Sequence, residues 1–494
     1  MTTRLTIDPI TRLEGHGRIE IFLDEQGDVD KTYFQVPELR GFESFCVGRP
    51  VEEMPALTNR ICGVCPEAHH LAAAKAADAV YGIVPPRAAR LLRELMYCAF
   101  YVTDHTTHFY ALSGPDVILG PDTPKAQRNL LGVIAKVGRE AAGRVIETRR
   151  GGHRVVELIG GRRVHPCTAV PGGMTKGITE AERAEIEGIA RSMLDFAGFS
   201  LDLFASLTTE GEMRELLLGD LFRHETYYSG LVDEQNNVAF YDGRVRVVRP
   251  DGSELGTYAP AEYQDWIAEH VEPWTYLKFP YLRKIGWRGF VDGPESGVYC
   301  VGPLGRLNAA RGMATPRAQA EYERFYATLA PTVDGMRPPI HQRGATHWAR
   351  LIEMMYAAER MLELTADPEI TSSDVRTVVG ECVGEGVGIV EAPRGTLTHH
   401  YWTDARGLVT RVNLIVGTTN NHAPIAMSID RAARGLIHHG VVVDDGLLDR
   451  IEMAFRAYDP CFGCATHSAP GQMPLEVTIR DRAGEIVGVL ARGD

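Results

Sequence analysis

Apolar and polar residues alternate along the first part of the chain, residues 4–34, which is also rich in β-branched and aromatic side chains. A period of two places every second side chain on one face of a strand. This segment therefore predicts short β-strands joined by turns, one of them at residues 25–27.

Three long segments with helical periodicity follow. The first covers residues 87–112, directly after a Pro-Pro pair. The second is expected at residues 124–149, closed by Gly151-Gly152. The third covers residues 179–207, and a capping box beginning at Thr179 marks its start.

The segment 231–300 changes character, because two Asp-Gly turns stand beside alternating runs. Such turns predict hairpins, and we expect a β-rich insertion at the surface. Helical patterns resume at residues 315–330 and 341–364. From residue 383 onward the chain mixes strands and glycine-rich turns with one short helix near residues 450–458.

The pattern as a whole has no internal repeat and no long flexible linker. Several long helices with strands towards both ends predict an α+β fold that is mostly α. We expect a single large domain, in which a bundle of long helices forms the core and the N-terminal, inserted and C-terminal segments are β-rich.

The formal net charge of −13 does not predict a nucleic-acid-binding surface. No apolar stretch approaches the roughly 20 residues that a membrane-spanning helix needs. Residues 1–12 lack the basic and apolar regions of a signal peptide. The chain alone is therefore expected in the cytoplasm, although a partner with its own export signal could carry it elsewhere.

Nine cysteines are present, an odd number in a chain without a secretory signal. Stapling by disulfides is therefore not expected, and closely spaced pairs indicate metal or redox chemistry. Two pairs have Cys-x-x-Cys spacing, Cys62/Cys65 and Cys461/Cys464. The other five are interpreted as reduced cysteines that pack in the interior.

The two pairs lie in the sequences RICGVCPEAH (60–69) and DPCFGCATH (459–467). Two residues between cysteines allow a tight turn to direct both sulfurs at one ion, so four thiolates at one metal centre are predicted. The pairs are about 400 residues apart, but the entropic cost of closing a loop grows only logarithmically with its length. By residue type a structural zinc site and a catalytic nickel or iron centre both remain open. A histidine shortly after each pair and the wide separation of the pairs favour the catalytic centre.

Both motifs resemble the paired metal signatures of nickel–iron hydrogenase large subunits. Other segments are similar to the same family in order along nearly the whole chain: DPITRLEGHGRIE (8–20), ELRGFE (38–43), HFYALSGPD (108–116), HPCTAVPGG (165–173), GPLGRLN (302–308) and EAPRG (391–395).

The resemblance implies a nickel–iron centre held by the four motif cysteines, with carbon monoxide and cyanide on the iron. Cys62 and Cys461 would be terminal ligands of nickel, and Cys65 and Cys464 would bridge both metals. The implied reaction is reversible heterolytic cleavage of H2, in which the thiolate of Cys461 is the candidate base. Glu14 matches the family's proton-gate glutamate, since a buried carboxyl near a thiol can accept its proton.

Arg394 matches an arginine that overhangs the open metal position, where a fixed guanidinium could stabilise developing negative charge. Asp116 and Asp459 match the carboxylates that hold this arginine in place. Pro393 would pack against the cyanide ligands, and Thr418 or Thr419 would hydrogen-bond one of them, with Thr419 the candidate.

Two further expectations concern the C-terminal end. Glu43 and His467 match a separate site, usually for magnesium, and His69 is expected to be a hydrogen-bond donor rather than a ligand. The family's mature subunit ends at the histidine of the second motif, so we expect a catalytic domain at residues 1–467. Residues 468–494 resemble the extension that a maturation endopeptidase removes after nickel insertion, a process that also uses nickel chaperones.

The resemblance implies a partner, an iron–sulfur small subunit, because this chain has too few clustered cysteines for an electron relay. Further subunits would pass electrons to NAD(P), ferredoxin, deazaflavin or a heterodisulfide reductase. The chain resembles the cytoplasmic, multi-subunit branch of the family. Three alternatives are a hydrogen sensor, a scaffold subunit like that of respiratory complex I, which lacks the paired cysteines, and a zinc-stabilised structural protein.

Overall fold

The computed structural model describes residues 3–331 and 337–467, together with two strands at 476–480 and 486–491. Seventeen α-helices lie in this part of the chain: α1 Phe42–Cys46, α2 Met54–Thr58, α3 Pro66–Val80, α4 Arg87–Thr107, α5 Gly114–Val117, α6 Leu130–Val137, α7 Arg139–Gly160, α8 Glu180–Leu207, α9 Glu212–Leu218, α10 Tyr263–Trp266, α11 Gly302–Ala309, α12 Pro316–Leu329, α13 Thr346–Ala366, α14 Gly417–Asn420, α15 His422–Leu436, α16 Asp445–Arg456 and α17 Phe462–Ala465. A π-helical turn, His108–Leu112, extends α4.

The strands of the same residues form several small sheets. They are β1 Thr3–Ile7, β2 Arg18–Leu23, β3 Val29–Gln35, β4 Ala169–Val170, β5 Gly173–Met174, β6 Tyr227–Val232, β7 Arg244–Val248, β8 Glu254–Tyr258, β9 Ile267–Val271, β10 Lys278–Leu282, β11 Tyr299–Cys300, β12 Glu385–Ala392, β13 Gly395–Thr403, β14 Val409–Ile415, β15 Glu476–Arg480 and β16 Ile486–Ala491. The larger sheets have the orders β1-β2-β3, β11-β6-β7-β8 and β12-β13-β14. All pairs in them are antiparallel except β6 with β11.

The long helices α4, α7, α8 and α13 pack against one another and form the bundle. One continuous cluster of buried apolar side chains runs from Ile7 to Ala465 and joins this bundle to the N-terminal sheet. The predicted fold class, a mostly helical α+β single domain, is confirmed. None of the described helices combines the length and apolar character of a bilayer span.

Apolar packing brings the two ends of the chain together at the cysteine motifs. Phe34 of β3 contacts Phe462, with ring centroids 5.5 Å apart, and also Phe455 of α16, at 5.7 Å. The alanine-rich helix α3, which begins directly after Cys65, packs on β12 and β13. These contacts offset the loop entropy of joining distant segments.

The second predicted helix differs from the observed structure. Residues 124–149 do not form one helix, because Gly138, at φ +90°, separates α6 from α7. Nor does Gly151-Gly152 end the helix, since α7 continues to Gly160. These glycines serve close packing instead: a Cβ at Gly152 would lie 1.8 Å from Thr103 Oγ1 on α4.

Strands β7 to β11 lie within the predicted β-rich segment and β6 begins four residues before it, but the expectation of a surface position is wrong for β6 and β7. Every residue of β6 is buried, and so are four of the five residues of β7. Their apolar side chains form a second cluster with Ile389 and Ile415 of the sheet β12-β13-β14. An apolar run on both faces is typical of a covered strand.

From residue 383 onward the described residues form three helices more than predicted, α14, α15 and α17, and α16 begins five residues before the predicted position, at Asp445. Asp444 caps α16 by accepting a hydrogen bond from Leu447 N. Strands β15 and β16 pair antiparallel, as the alternating pattern of the extension predicts. The alternating sequence VTIRDRAGEIVGVL of this extension predicts a hairpin about residues 482–484, a turn that lies outside the described residues.

Replacing Gly152 by alanine should lower the apparent midpoint of thermal unfolding, because the new methyl group must displace Thr103 and α4. Overpacking of this kind costs about 1–3 kcal/mol. Gly143→Ala is the matched control on the same helix, since nothing lies within 4 Å of its Cβ position. Alanine there should raise the midpoint slightly through helix propensity. Equal midpoints for both variants, followed by circular dichroism, would contradict the close approach of α4 and α7.

Candidate metal centre

The four motif cysteines lie at the starts of two helices. Cys62 follows a single helical turn, and Cys65 is the N-terminal capping residue of α3, where Pro66 fixes the first turn. Cys461 caps α17, and Cys464 lies within it. The partial positive charge of the helix N-terminus and hydrogen bonds from Cys461 and Cys464 favour a thiolate at Cys65, but Cys62 and burial outweigh them and raise the pKa of Cys65 to about 11.

The sulfurs of these cysteines converge at one buried point. Cys62 Sγ lies 3.3 Å from Cys461 Sγ, and Cys65 Sγ lies 3.2 Å from Cys464 Sγ. The sulfurs of Cys461 and Cys464 are 3.1 Å apart, and all four lie within 4.8 Å of one another. A disulfide would need about 2.05 Å, whereas metal–sulfur bonds of about 2.3 Å allow these separations. The predicted meeting of the four thiols is therefore observed.

Charge makes this cluster a site for cations. Burial raises the pKa of Cys461 and of Cys464 well above that of a free thiol. Hydrogen bonds from the neighbouring thiols instead lower the pKa of Cys62. Four thiolates side by side, away from water, would repel each other strongly unless positive charge lay between them. In the described residues no other group of three or more cysteine, histidine or acidic side chains could hold a metal ion.

Glu14 is anchored beside Cys461 by the backbone. Residues 14 and 461 form a parallel β-bridge, and Phe462 N donates to Glu14 O at 2.9 Å. The Glu14 carboxylate accepts from Gly463 N at 2.7 Å and lies 3.0 Å from Cys461 Sγ. A Cβ at residue 463 would come within 2.4 Å of Glu14 Oε1, so only glycine permits this approach. The half-buried carboxylate is thus within reach of the thiol's proton.

Arg394 lies on the turn between β12 and β13, and two carboxylates hold its buried guanidinium. Nη1 donates to Asp104 Oδ1 at 3.1 Å, and Nη2 lies 2.9 Å from Asp459 Oδ2. Asp459 adopts φ +55°, and its carbonyl accepts from Arg394 Nε at 2.7 Å. Although burial disfavours the cation, Asp104 and Asp459 hold the pKa of Arg394 well above its usual value.

The prediction that Asp116 holds Arg394 is wrong. Asp116 pairs instead with Arg456 at 2.7 Å and with Arg12 at 2.5 Å, in a network that also contains Asp449. Asp104 takes the predicted place, and sequence reasoning missed it. The available signal was helical spacing, because Asp104 lies on the same face of α4 as the buried residues Tyr97 and Tyr101, seven and three positions earlier.

Of the residues predicted to surround the iron, Thr418 contacts a motif cysteine directly. Thr418 Oγ1, on α14, accepts from Cys461 N at 3.1 Å. Thr419 Oγ1 is buried and has no partner among the described protein atoms. The carbonyl of Pro393 accepts from Arg306 Nη2 at 3.0 Å, which fixes the turn that carries Arg394.

Glu43 and His467 also approach each other, with His467 Nε2 3.7 Å from Glu43 Oε1. His467 Nε2 lies 2.7 Å from Leu414 O, and its Nδ1 lies 2.6 Å from Cys464 O. Burial lowers the pKa of His467, so the ring is neutral and has one N–H for two carbonyl oxygens. One ring nitrogen therefore faces a carbonyl without a proton between them, an arrangement that a cation would relieve. Leu414 could not be found from side-chain patterns, because it contributes only backbone atoms.

A cavity of about 140 Å³ lies against the first cysteine loop, lined by Gly63, Val64, Glu67 and Asp104 among others. A larger cavity of about 630 Å³ lies elsewhere, between β3, α15 and the insertion, and none of the predicted site residues lines it. The smaller cavity is therefore the one that belongs to the metal centre.

Comparisons with known proteins agree with this geometry. A family model described as nickel-dependent hydrogenase matches residues 40–129 and 214–467, and one described as HoxL-like matches residues 4–39. The chain is 45% identical over 485 residues to an iron-sulfur subunit of the F420-non-reducing hydrogenase of Archaeoglobus profundus, covering 98% of both chains. It is 37% identical over 507 residues to the NAD-reducing hydrogenase HoxS subunit beta of Cupriavidus necator, covering 100% of both.

Solved structures give the same result. A crystal structure of an NAD+-reducing [NiFe]-hydrogenase in the H2-reduced state superposes with a TM-score of 0.87 at 38% identity, covering 94% of this chain and 100% of that one. The Ni-Fe-Se hydrogenase of D. vulgaris Hildenborough has a TM-score of 0.72 at 23% identity, covering 94% and 100%, which shows the fold alone.

This fold, with four buried thiols at one point, defines the metal-bearing component of a redox enzyme. The chain belongs to the nickel-dependent hydrogenase family, as a large subunit whose four-cysteine site supports a nickel–iron centre. The predicted family, the predicted enzyme class and the predicted reaction, cleavage of H2, are confirmed. Its place as a large subunit implies electron-transfer partners and a small subunit.

Asp104→Asn should lower hydrogen turnover by about 10- to 100-fold, the usual effect of losing a group that orients an active-site residue. The amide keeps the shape but removes one of the two charges that hold Arg394. Asp116→Asn is the matched control and should leave turnover nearly unchanged while lowering the thermal midpoint, because it acts on Arg12 and Arg456. Equal loss of turnover in both variants, at equal metal content, would contradict this assignment.

Proposed function

We propose that this chain cleaves H2 heterolytically at a nickel–iron centre that Cys62, Cys65, Cys461 and Cys464 would hold. The observation that carries the proposal is the convergence of four buried sulfurs within 4.8 Å of one another. The carboxylate of Glu14 contacts one of these cysteines, and the guanidinium of Arg394 pairs with Asp459, two residues before Cys461. When bound, the metals would supply the Lewis acid that accepts a hydride. The protein's own groups then handle the proton and the charge.

Proton transfer is assigned to Cys461 and Glu14. The thiolate of Cys461 is the base, and the carboxylate 3.0 Å away takes the proton from it. Gly463 N holds that carboxylate in position through a 2.7 Å hydrogen bond. From Glu14 the proton reaches the surface, since this residue is only half-buried.

Arg394 provides fixed positive charge. Asp104 and Asp459 hold its guanidinium from two directions, so the group needs no reorganisation when negative charge develops. Pro393 precedes it on the same turn and is proposed to pack against the diatomic ligands of iron.

Carbon monoxide and cyanide on the iron are part of the proposal. The supporting observation is Thr419 Oγ1, a buried hydroxyl without a partner in the described part of the chain, which would donate to a cyanide nitrogen. Thr418 is committed to Cys461 N and is less available for this role.

A magnesium ion is proposed at Glu43, Leu414 O and His467. A carboxylate and a carbonyl are ligands that Mg²⁺ accepts, and the ion keeps several waters. The two carbonyl oxygens facing the neutral His467 ring support a cation at Nε2.

We also propose that residues 468–494 are removed after nickel insertion by a maturation endopeptidase, with nickel chaperones delivering the metal. The match to the family model ends at residue 467, which supports this boundary. The buried His467 would then carry the new carboxyl terminus. Electrons are proposed to leave through an iron–sulfur small subunit to a soluble acceptor. The relatives' names favour NAD or an acceptor other than F420. A cytoplasmic location stays a prediction.

Protein purified from its native host should contain nickel and iron in roughly equal amounts, show infrared bands of carbon monoxide and cyanide, and have the mass of residues 1–467. Elemental analysis, infrared spectroscopy and intact-protein mass spectrometry check these outcomes. Zinc in place of nickel, without the bands, would overturn the proposed function in favour of a structural site. A full-length mass with both metals present would overturn only the removal of the extension.

Glu14→Gln should slow the exchange of deuterium gas with solvent protons by about 100-fold or more, because an amide cannot take up the proton of Cys461. Glutamine keeps the size and the hydrogen bond from Gly463, so nickel and iron contents should not change. Glu20→Gln is the control, a buried glutamate of β2 that pairs with Arg4 at 3.2 Å. Loss of metal in the Glu14 variant would mean that Glu14 is structural, and unchanged exchange with full metal would refute its proton-transfer role.

A further inference from the structure

A chain of three hydrogen bonds leads away from Cys464 through the interior. His69 Nε2 lies 3.4 Å from Cys464 Sγ, and His69 Nδ1 lies 3.1 Å from His399 Nε2. His399 Nδ1 lies 2.6 Å from the hydroxyl oxygen of Tyr401. All four side chains are at most 1% exposed, so water does not complete these contacts from outside.

Both imidazole rings are fully buried, and neither pairs with a carboxylate among the described residues, so both are taken as uncharged. His69 Nδ1 and His399 Nε2 face each other at 3.1 Å, so only one of these two nitrogens carries a proton. A neutral imidazole has one N–H donor and one lone pair, on opposite sides of the ring. Each ring therefore passes the direction of its hydrogen bond on to the next group.

The sulfur sets that direction. A metal-bound thiolate of Cys464 accepts hydrogen bonds, so His69 must carry its proton on Nε2 and use Nδ1 as an acceptor. His399 must then donate from Nε2 and accept at Nδ1. The group facing His399 Nδ1 is the hydroxyl of Tyr401, which can donate. The opposite direction would place the lone pair of His69 against an anionic sulfur.

We propose that Tyr401 and His399 are positioning residues that fix the tautomer of His69, so that its N–H points at the sulfur of Cys464. This inference rests on the proposed function. An N–H donor withdraws electron density from a thiolate ligand, and hydrogen bonds to ligand sulfurs raise the reduction potential of a centre. The hydrogen-bonded series of Tyr401, His399 and His69 thereby sets how much electron density the sulfur of Cys464 gives to the metals.

The strand geometry of β13 explains how the sequence builds this chain. Residues 399 and 401 are two positions apart, so their side chains lie on the same face of the strand. His400 points to the opposite face, where it contacts Tyr263 at 2.9 Å and stacks against Trp402. The neighbouring histidines of the sequence THHYW thus have separate surroundings, and only His399 reaches the metal centre.

Tyr401→Phe tests the inference, because it removes the terminal donor and keeps the ring. Without that donor the N–H of His69 is less firmly directed at Cys464, and the sulfur becomes more electron-rich. The carbon monoxide band of the iron should shift to lower wavenumber, and the midpoint potential of the centre should become more negative. Tyr110→Phe is the matched control, since it removes a buried hydroxyl that bonds Ser200 at 2.9 Å and has no contact with this chain. Its band and potential should equal those of the wild type.

An unshifted band and potential in Tyr401→Phe, at full nickel and iron content, would overturn the inference. So would an equal shift in Tyr110→Phe. If Tyr401→Phe fails to incorporate metal, nitrogen-15 NMR of the wild-type protein with labelled histidine decides the question, because it reports the tautomer directly. Protonation of His69 at Nε2 supports the inference, and protonation at Nδ1 overturns it. Zinc without diatomic bands in the wild type would contradict the proposed function itself, whereas normal bands with an unshifted variant contradict only this chain of hydrogen bonds.

Discussion

Repulsion among four sulfurs in a space without water is the constraint on which the rest of this structure depends. Cys62, Cys65, Cys461 and Cys464 come within 4.8 Å of one another, and each is at most 3% exposed. Thiolates so arranged need cations between them, and bringing them together needs both ends of the chain. The β-bridge between Glu14 and Cys461 and the contact of Phe34 with Phe462 supply the attachment that the metal alone could not supply before it is bound.

Buried arginines form a second layer around the centre. Arg306 lies between Glu353 and Glu391, Arg456 pairs with Asp116, and Arg394 lies between Asp104 and Asp459. Removing one partner of such a buried pair leaves an uncompensated charge, which costs about 3–5 kcal/mol. The pairs of Arg306 and Arg394 therefore hold the turn at residues 393–394 and the helices α4 and α13 in one arrangement. A group that must stabilise charge in a reaction profits from that rigidity.

The architecture and the metal centre could be predicted from the sequence, whereas several details of packing and hydrogen bonding could not. Helical periodicity and the capping box at Thr179 predicted α8 correctly, because both signals are local. Gly152 was misinterpreted as a helix end, since its role depends on Thr103 of another helix. Asp116 was assigned to Arg394 from the family resemblance, and only the packing of α4 against the turn at Arg394 shows that Asp104 takes that place. The role of the Leu414 carbonyl could not be predicted from the sequence, because a backbone atom leaves no side-chain pattern.

The two cysteines of the second motif have sulfurs 3.1 Å apart, yet one faces a proton acceptor and the other faces a hydrogen-bond donor. Cys461 faces the carboxylate of Glu14, which can accept a proton, whereas Cys464 faces His69, which can donate a hydrogen bond. An adjacent proton acceptor favours a thiolate that takes up and releases a proton, and an N–H donor favours one that stays deprotonated. Groups of the same type acquire different roles when their surroundings shift their proton affinities apart. The proposal that Cys461 is the base and that Cys464 stays deprotonated agrees with these two neighbours. These two neighbours belong to different parts of the fold: Glu14 lies in the N-terminal segment, and His69 lies in helix α3.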